Sequence, residues 1–348
     1  MIRQHMKNGI VKMQNVQVMD LAKVRHEVFV LEGKTVVPAT LSKNADAQIA
    51  RIKPMEDWLC DCKGLRMGPI YYWYTSPLFN YYHLILDGLG QLSHYFDLKR
   101  EIPDLKLFLN QSPKPKSGCA THPPFVTELL ELFDIEYEFT DENIMYDTVY
   151  FGDTLNQDHK GTRILPADRQ YELIAQLIET SKQRATAPQH DAVYLSRRAH
   201  ANPMNNRKDV IGEDNTVKRG LTNEDDVVEV LQDLGFTEVF GENYSLAEKI
   251  VLFSGMKKYI STAGAGVTNI LWTMPNEVSV GGIHTPGFPF PGPKHGRHIC
   301  CNKKYINATI NNYPGAVRFH DPDAGARNYN NPWYINNMDA FKKWAATV

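Results

Sequence analysis

The sequence predicts a soluble α/β protein of two domains, and three observations carry that expectation. Short apolar runs of strand length alternate with amphipathic helical patterns along most of the chain. Its 348 residues exceed one ordinary core and suit two domains. In the C-terminal half the alternation reads β-α-β-α-β-α-β, the order of a parallel sheet joined by right-handed crossovers.

The first 65 residues carry only short β-like runs such as KTVVPATL (34–41). GPIYYWYT (68–75), dense in aromatics, reads as a buried strand. A helical pattern follows from about Asn80 to Tyr95, and LKLFLN (105–110) is a strand. PPFVTELLELF (123–133) places proline at a helix start, and DTVYFGD (147–153) is another strand. These elements form a first α/β domain, residues 1–165. ADRQYELIAQLIETSKQ (167–183) is a helix that bridges to the second domain, residues 166–336.

The second domain reads more cleanly. DAVYLS (191–196) is a strand and TNEDDVVEVLQDLG (222–235) a helix with Val227, Val230, Leu231 and Leu234 on one face. TEVFG (237–241) is a strand; SLAEKIVLFSG (245–255) is a helix with a Ser245–Glu248 capping box. KKYIST (257–262) is the next strand, followed by a glycine turn, a helix to about Met274 and the strand EVSVGGI (277–283). The stretches 284–298 and 311–337, rich in proline, glycine and asparagine, read as loops. A last short helix is expected over 337–348, packing back on the N-terminal domain.

Composition excludes several function classes. Hydrophobic residues at 43% and charged residues at 22% describe an ordinary globular chain. A formal net charge of −2 leaves no electrostatic footprint for nucleic acid or an anionic membrane. The five cysteines, Cys60, Cys62, Cys119, Cys300 and Cys301, do not read as a secreted disulfide framework. Neither a signal peptide nor an apolar run of about 18 residues is visible, so a cytoplasmic protein without membrane span is expected.

Four stretches carry chemistry. In STAGAGVTN (261–269), Gly264 and Gly266 let backbone approach a ligand, and the following helix start offers N–H groups to an anion. A dinucleotide fingerprint would have a third glycine at Asn269 and follow the first strand of its sheet. Phosphate or nucleotide-sugar binding, dinucleotide binding and a plain structural turn therefore stay open. In YLSRRAHANPMNNRKDVIGEDNTVKRGLTNEDD (194–226), Ser196, Arg197 and Arg198 end a strand, while Arg207, Lys208, Lys218 and Arg219 follow in the loop. Arginine suits bidentate phosphate contact; Asp209, Glu213 and Asp214 in the same loop equally suit solvated ion pairs.

In NYYHLILDGLGQL (80–92), His83 and Asp87 share a helix face. They can deprotonate an acceptor hydroxyl, or simply hold the helix in place. His284, His295, His298, Cys300 and Cys301 match no regular zinc-ligand spacing, so no metal is expected.

Together, NYYHLILD (80–87), YLSRR (194–198), RGLTNE (219–224) and STAGAGVTN (261–269) resemble the ordered motifs of glycosyltransferase family 61. That resemblance covers about residues 80–283. It implies a GT-B-like fold, two Rossmann-like domains facing each other across a cleft. It further implies inverting transfer from a nucleotide-sugar donor, usually a UDP-sugar such as UDP-xylose or UDP-GlcNAc, to a hydroxyl of a glycan or polysaccharide acceptor. No obligatory cofactor and no divalent metal are implied.

On this resemblance Ser196, Arg197, Arg198, Arg219, Asn223, Ala263, Gly264, Ala265, Gly266, Thr268 and Asn269 bind the donor, Arg197, Arg198 and Arg219 facing its phosphates. Asp87 or His83 is the base. Glu248 reaches the nucleoside or serves only its capping box. Ala263 stands where the family has histidine, which implies a different donor, a compensating histidine such as His284, or impaired activity. A nucleotide-sugar or dinucleotide oxidoreductase or epimerase, and a non-catalytic nucleotide-sugar-binding protein, are the competing readings.

Overall fold

A computed structural model describes residues 3–5, 10–19, 29–32, 35–38, 64–73, 80–109, 123–140, 144–152, 168–197, 220–284, 304–313, 315–318 and 333–348. The chain divides into two compact units, Met1–Leu173 and Ile174–Val348. Both are mixed α/β structures with parallel strands, as a Rossmann-like fold requires.

In the first unit, β1 (Arg3–His5), β2 (Ile10–Met19), β3 (Phe29–Glu32), β4 (Thr35–Pro38), β5 (Gly64–Trp73), β6 (Lys106–Leu109), β7 (Tyr137–Phe139) and β8 (Ile144–Gly152) form one sheet of order β4-β3-β2-β8-β5-β6-β7, with β1 beside β2. The β8–β5–β6–β7 run is parallel. β1–β4 extend it with antiparallel pairings. The unit is thus a mixed sheet rather than a purely parallel one. Its central strands are covered on a face where Val11, Met13, Ile70, Tyr72, Phe108, Tyr146, Val149 and Phe151 pack together. Burying such side chains is the main favourable term in forming the sheet.

One continuous helical segment leaves β5. It consists of α1 (Tyr81–His83), a π-turn (Leu84–Gly88) and α2 (Leu89–Glu101). Asn80 caps it, its side-chain oxygen accepting from Tyr82 N at 3.0 Å. The sequence pattern indicates a helix here but not the π-turn, because one inserted residue scarcely alters the apolar spacing. α3 (Pro124–Leu132) and α4 (Asp168–Arg184) follow the expected patterns.

The second unit holds β9 (Ala192–Leu195), α5 (Glu224–Asp233), β10 (Thr237–Val239), α6 (Leu246–Ser254), β11 (Lys258–Thr262) and β12 (Glu277–Ile283). Its five-stranded sheet is parallel throughout and completed by β13 (Asn307–Tyr313), in the order β10-β9-β11-β12-β13. Numbered along the unit this is 2-1-3-4-5, the flavodoxin-like doubly wound order, whose switch point lies between its first and third strands. Here those strands are β9 and β11.

Two sequence expectations need correction. The helix after the glycine turn is a 3₁₀ helix, Ala265–Thr273, rather than an α-helix. In the stretch 311–337, expected as loop, residues 311–313 complete β13 and two further strands form, β14 (Ala316–Arg318) and β15 (Trp333–Ile335). Residues 285–298, 314 and 319–332 lie outside the described residues. In β13 the sheet supplies backbone partners along the whole of β12, which overrides weak strand propensity. The last helix, α7 (Met338–Ala345), has these contacts in the second unit: Phe341 meets Tyr313 edge-on, Trp344 lies tilted against it, and Lys342 pairs with Asp233.

The Ser245 capping box is formed in full. Ser245 N and Oγ both donate to Glu248 Oε2 at 2.8 Å, and Ser245 Oγ accepts from Glu248 N. Backbone and hydroxyl donation from Ser245 holds the Glu248 carboxyl below the ordinary glutamate range. Ser245→Ala should cost about 1 kcal/mol, or about 2–4 °C in Tm for a unit of this size. A depressed folded-state pKa gives stability that is present above the unfolded value and lost as pH falls through the folded one. The deficit of Ser245→Ala in thermal melts at pH 7 should therefore shrink as the pH is taken below the ordinary glutamate range.

Candidate functional site

The sheet order of the second unit directs attention to the carboxyl ends of β9 and β11, since open α/β sheets bind ligands where the strand order reverses. Leu195–Ser196–Arg197 leaves one of these strands and Ala263–Gly264–Ala265–Gly266 leaves the other. Tertiary pairing of β9 with β11 brings the two motifs side by side although 66 residues separate Arg197 from Ala263.

Arg197 joins them. Its Nη1 donates to Ala263 O at 3.0 Å. The guanidinium lies so close over Gly264 that a Cβ there would stand 2.6 Å from Nη1. Gly264 is extended backbone (φ 172), so what demands glycine is this close approach and not a left-handed turn. At Gly266 a Cβ would overlap Leu195 Cδ2, again a contact with β9. The glycines thus let the end of β9 and the start of the 3₁₀ helix touch.

Gly264 is the N-cap of that helix. The first N–H groups of a helix have no intrahelical acceptor and carry a partial positive charge. A guanidinium placed there puts two positive poles together, an arrangement that an anion relieves.

Glu224, at the first turn of α5, sets the direction of Arg197. The Glu224 side chain is buried, and its Oε1 accepts from Tyr194 Oη (2.7 Å), Ser196 Oγ (2.8 Å) and Arg197 N (3.1 Å). One carboxylate oxygen therefore knits YLSR to the NE of RGLTNE. Sequence reasoning named Asn223 and overlooked Glu224. The signal available was a glutamate opening a helix, the last residue of the motif RGLTNE.

The other expected donor-side residues are placed as follows. Ser196 is buried and held between Glu224 and Val239 O. Asn223 pairs with β15: Nδ2 donates to Ile335 O at 2.9 Å, and Oδ1 accepts from Ile335 N at 3.0 Å. Glu248 is engaged in its capping box. Thr268 is buried and its hydroxyl donates to Ala265 O at 2.8 Å. Tyr259 Oη donates to Gly266 O at 2.8 Å and braces the turn from below. Burial pushes the Tyr259 phenol up, against the opposing pull of the Asn269 side chain and the Arg197 charge. Asn269 is buried beside it. Gly264, Ala265 and Gly266 are half-buried and Ala263 is fully buried. Arg198 and Arg219 lie outside the described residues, as do Arg207, Lys208 and Lys218.

Ala263 N donates to Ile283 O at 3.0 Å, which brings His284, the next residue of that strand, to the same edge of the sheet. His295, His298, Cys300 and Cys301 lie outside the described residues. Among the described residues no three His, Cys, Asp or Glu side chains converge as a metal site.

In the first unit, His83 Nδ1 and Asp87 Oδ2 are 2.6 Å apart. A carboxylate oxygen only accepts, so Nδ1 carries the hydrogen of this contact, and in the neutral ring the lone pair is then on Nε2. The Asp87 side chain is 5% exposed and that of His83 21%. The aspartate is thus the buried member of the pair and the histidine the more exposed one.

Among the described residues no helix is long and apolar enough to cross a membrane. No curated protein matches the chain. The family description Glycosyltransferase 61 matches residues 81–280, a span that opens at the His83–Asp87 turn and runs through β9, Glu224 and the glycine turn into β12. The chain belongs to glycosyltransferase family 61 and is, by that membership, a glycosyltransferase.

Proposed function

We propose that the protein transfers a sugar, with inversion, from a UDP-sugar to a hydroxyl of a glycan or polysaccharide acceptor. The observation that carries this reading is the guanidinium of Arg197 seated at the N-cap of the 3₁₀ helix, at the switch point of a parallel sheet. A donor diphosphate fits that pair of positive poles. In this reading the N–H groups of Ala265 and Gly266 face its oxygens. Arg198 and Arg219 add charge from the same motifs, and the two units adopt the GT-B arrangement that the resemblance implies.

The chemistry is a single displacement. The acceptor O–H gives its proton to His83 Nε2, held in the correct tautomer by Asp87. The acceptor oxygen forms its bond to the anomeric carbon as the bond from that carbon to the diphosphate oxygen breaks. Inversion follows from attack on the opposite face. Charge gathers on the leaving diphosphate, where Arg197 and the helix N-terminus are already oriented; such preorganised donors stabilise the transition state more than the ground state. No metal is part of this reading, the cationic role falling to arginine.

One observation favours a second reading, a nucleotide-sugar-binding protein without turnover: Ala263 is fully buried and offers no side chain where the family has histidine. In the first reading His284, at the same strand end, fills that role.

Three measurements test these assignments. UDP should raise the Tm of the wild type with EDTA present, and Arg197→Ala should lose most of that shift, a 10- to 100-fold weaker affinity or about 1.4–2.7 kcal/mol. Stabilisation by NAD alone would support the oxidoreductase reading instead. Gly264→Ala, whose Cβ displaces the guanidinium, should weaken UDP binding in calorimetry to a similar degree. In a transfer assay with UDP-sugars, His83→Gln and Asp87→Asn should lower kcat by about 10²- to 10⁴-fold while leaving the UDP-induced Tm shift unchanged. Equal loss of UDP binding in these two variants would remove them from the acceptor side.

A further inference from the structure

The His83–Asp87 pair sits on an irregular piece of backbone. Leu84–Gly88 is a π-turn inside an otherwise α-helical segment, closed by Leu89 N donating to Leu84 O. Such a turn widens the helix and shifts the hydrogen-bond ladder, which opens its carbonyls to other donors. Two side chains from outside the segment supply them. Gln170 Nε2, on α4, donates to Ile85 O at 3.1 Å and Leu86 O at 2.6 Å. Trp73 Nε1, at the end of β5, donates to Gly88 O at 3.1 Å. All of these groups belong to the first unit.

Gln170 is a costly residue where it stands. It lies on the apolar stripe of α4 with Leu173, Ile174, Leu177 and Ile178, and is fully buried. Its Oε1 is buried with no hydrogen-bond partner among the described residues. Leucine or methionine would continue the stripe without stranding an amide oxygen. Rotating the amide would put oxygen against two carbonyls, so the donor orientation is set by the π-turn itself. A buried polar group kept at such cost, aimed at the backbone of one turn, needs an explanation beyond packing. The two carbonyls it captures immediately precede Asp87.

We propose that Gln170 is a positioning residue: by holding Ile85 O and Leu86 O it fixes the π-turn that sets Asp87 against His83 Nδ1, and so fixes the Nδ1–H tautomer of His83. This rests on the reading of His83 as the base. Trp73 secures the far end of the same turn. Gln170 touches neither substrate nor the reacting atoms; it acts through the backbone on which the pair is built.

The test needs no substrate. Protein labelled with ¹⁵N-histidine, its His83 signals assigned by comparison with His83→Gln, reports the tautomer through the two ring-nitrogen shifts. In the wild type the neutral ring should show a protonated Nδ1 and an unprotonated Nε2. In Gln170→Met, matched in volume but without donors, both shifts should move toward the Nε2–H form that unconstrained histidine favours, with far-UV circular dichroism and the UDP-induced Tm shift retained. Should that variant not fold, Gln170→Asn, one methylene too short to reach both carbonyls, carries the same test. A folded variant at position 170 with the wild-type tautomer overturns the proposal. The two readings fail separately: a changed tautomer alongside full turnover by His83→Gln keeps the positioning role and removes the base. An unchanged tautomer alongside lost turnover does the reverse.

Discussion

The second unit depends on one carboxylate oxygen. Glu224 Oε1 accepts three hydrogen bonds, from Tyr194 within β9 and from Ser196 and Arg197 just beyond it, and this fixes where Arg197 begins. That anchor acts together with the Ser196 N bond to Val239 O and the Arg197 Nη1 bond to Ala263 O, which hold the guanidinium at the N-cap of a helix beside a like pole. A buried carboxylate is expensive unless its lone pairs are occupied. Here the occupants are the residues whose geometry matters most, so the cost of burial and the orientation of the site are met by the same contacts.

The first unit solves a related problem on the backbone. Departing from the α-helical ladder at Leu84–Gly88 exposes carbonyls in a dry interior, and Gln170 and Trp73 answer them. The outcome is a histidine with limited exposure whose buried partner sits four residues on. In both units, side chains far apart in sequence satisfy backbone polar groups, and in both that backbone carries a residue of the proposed site.

Much of this architecture was legible in the residues. The capping box at Ser245, the helix on Val227 and Leu231, and the strands YYW, VYL and YIST follow from local rules that hold wherever such patterns fold. Within the stretch 311–337 expected as loop, the described residues 311–313, 316–318 and 333–335 are strand. Asparagine-rich strands carry little propensity of their own; β13 exists because β12 offers it a partner. Asn223 was singled out by its place in a motif; its amide pairs with Ile335 like a strand edge, and the adjacent Glu224 binds the backbone of Arg197. Gln170 had a visible signal, a glutamine on an apolar stripe, whose meaning lay in a turn more than 80 residues away.

The sequence by itself determined the alternation of strand and helix, the caps, and the residue types of four motifs, because these are set by neighbours within a few positions. Only the tertiary structure decided that the order 2-1-3-4-5 places two of those motifs at one switch point. It also decided that glycine is needed at 264 for the approach of a guanidinium, and that Asp87 lies behind His83 rather than in front of it. Each of these depends on contacts between residues distant along the chain, and no local pattern encodes which distant partner will arrive.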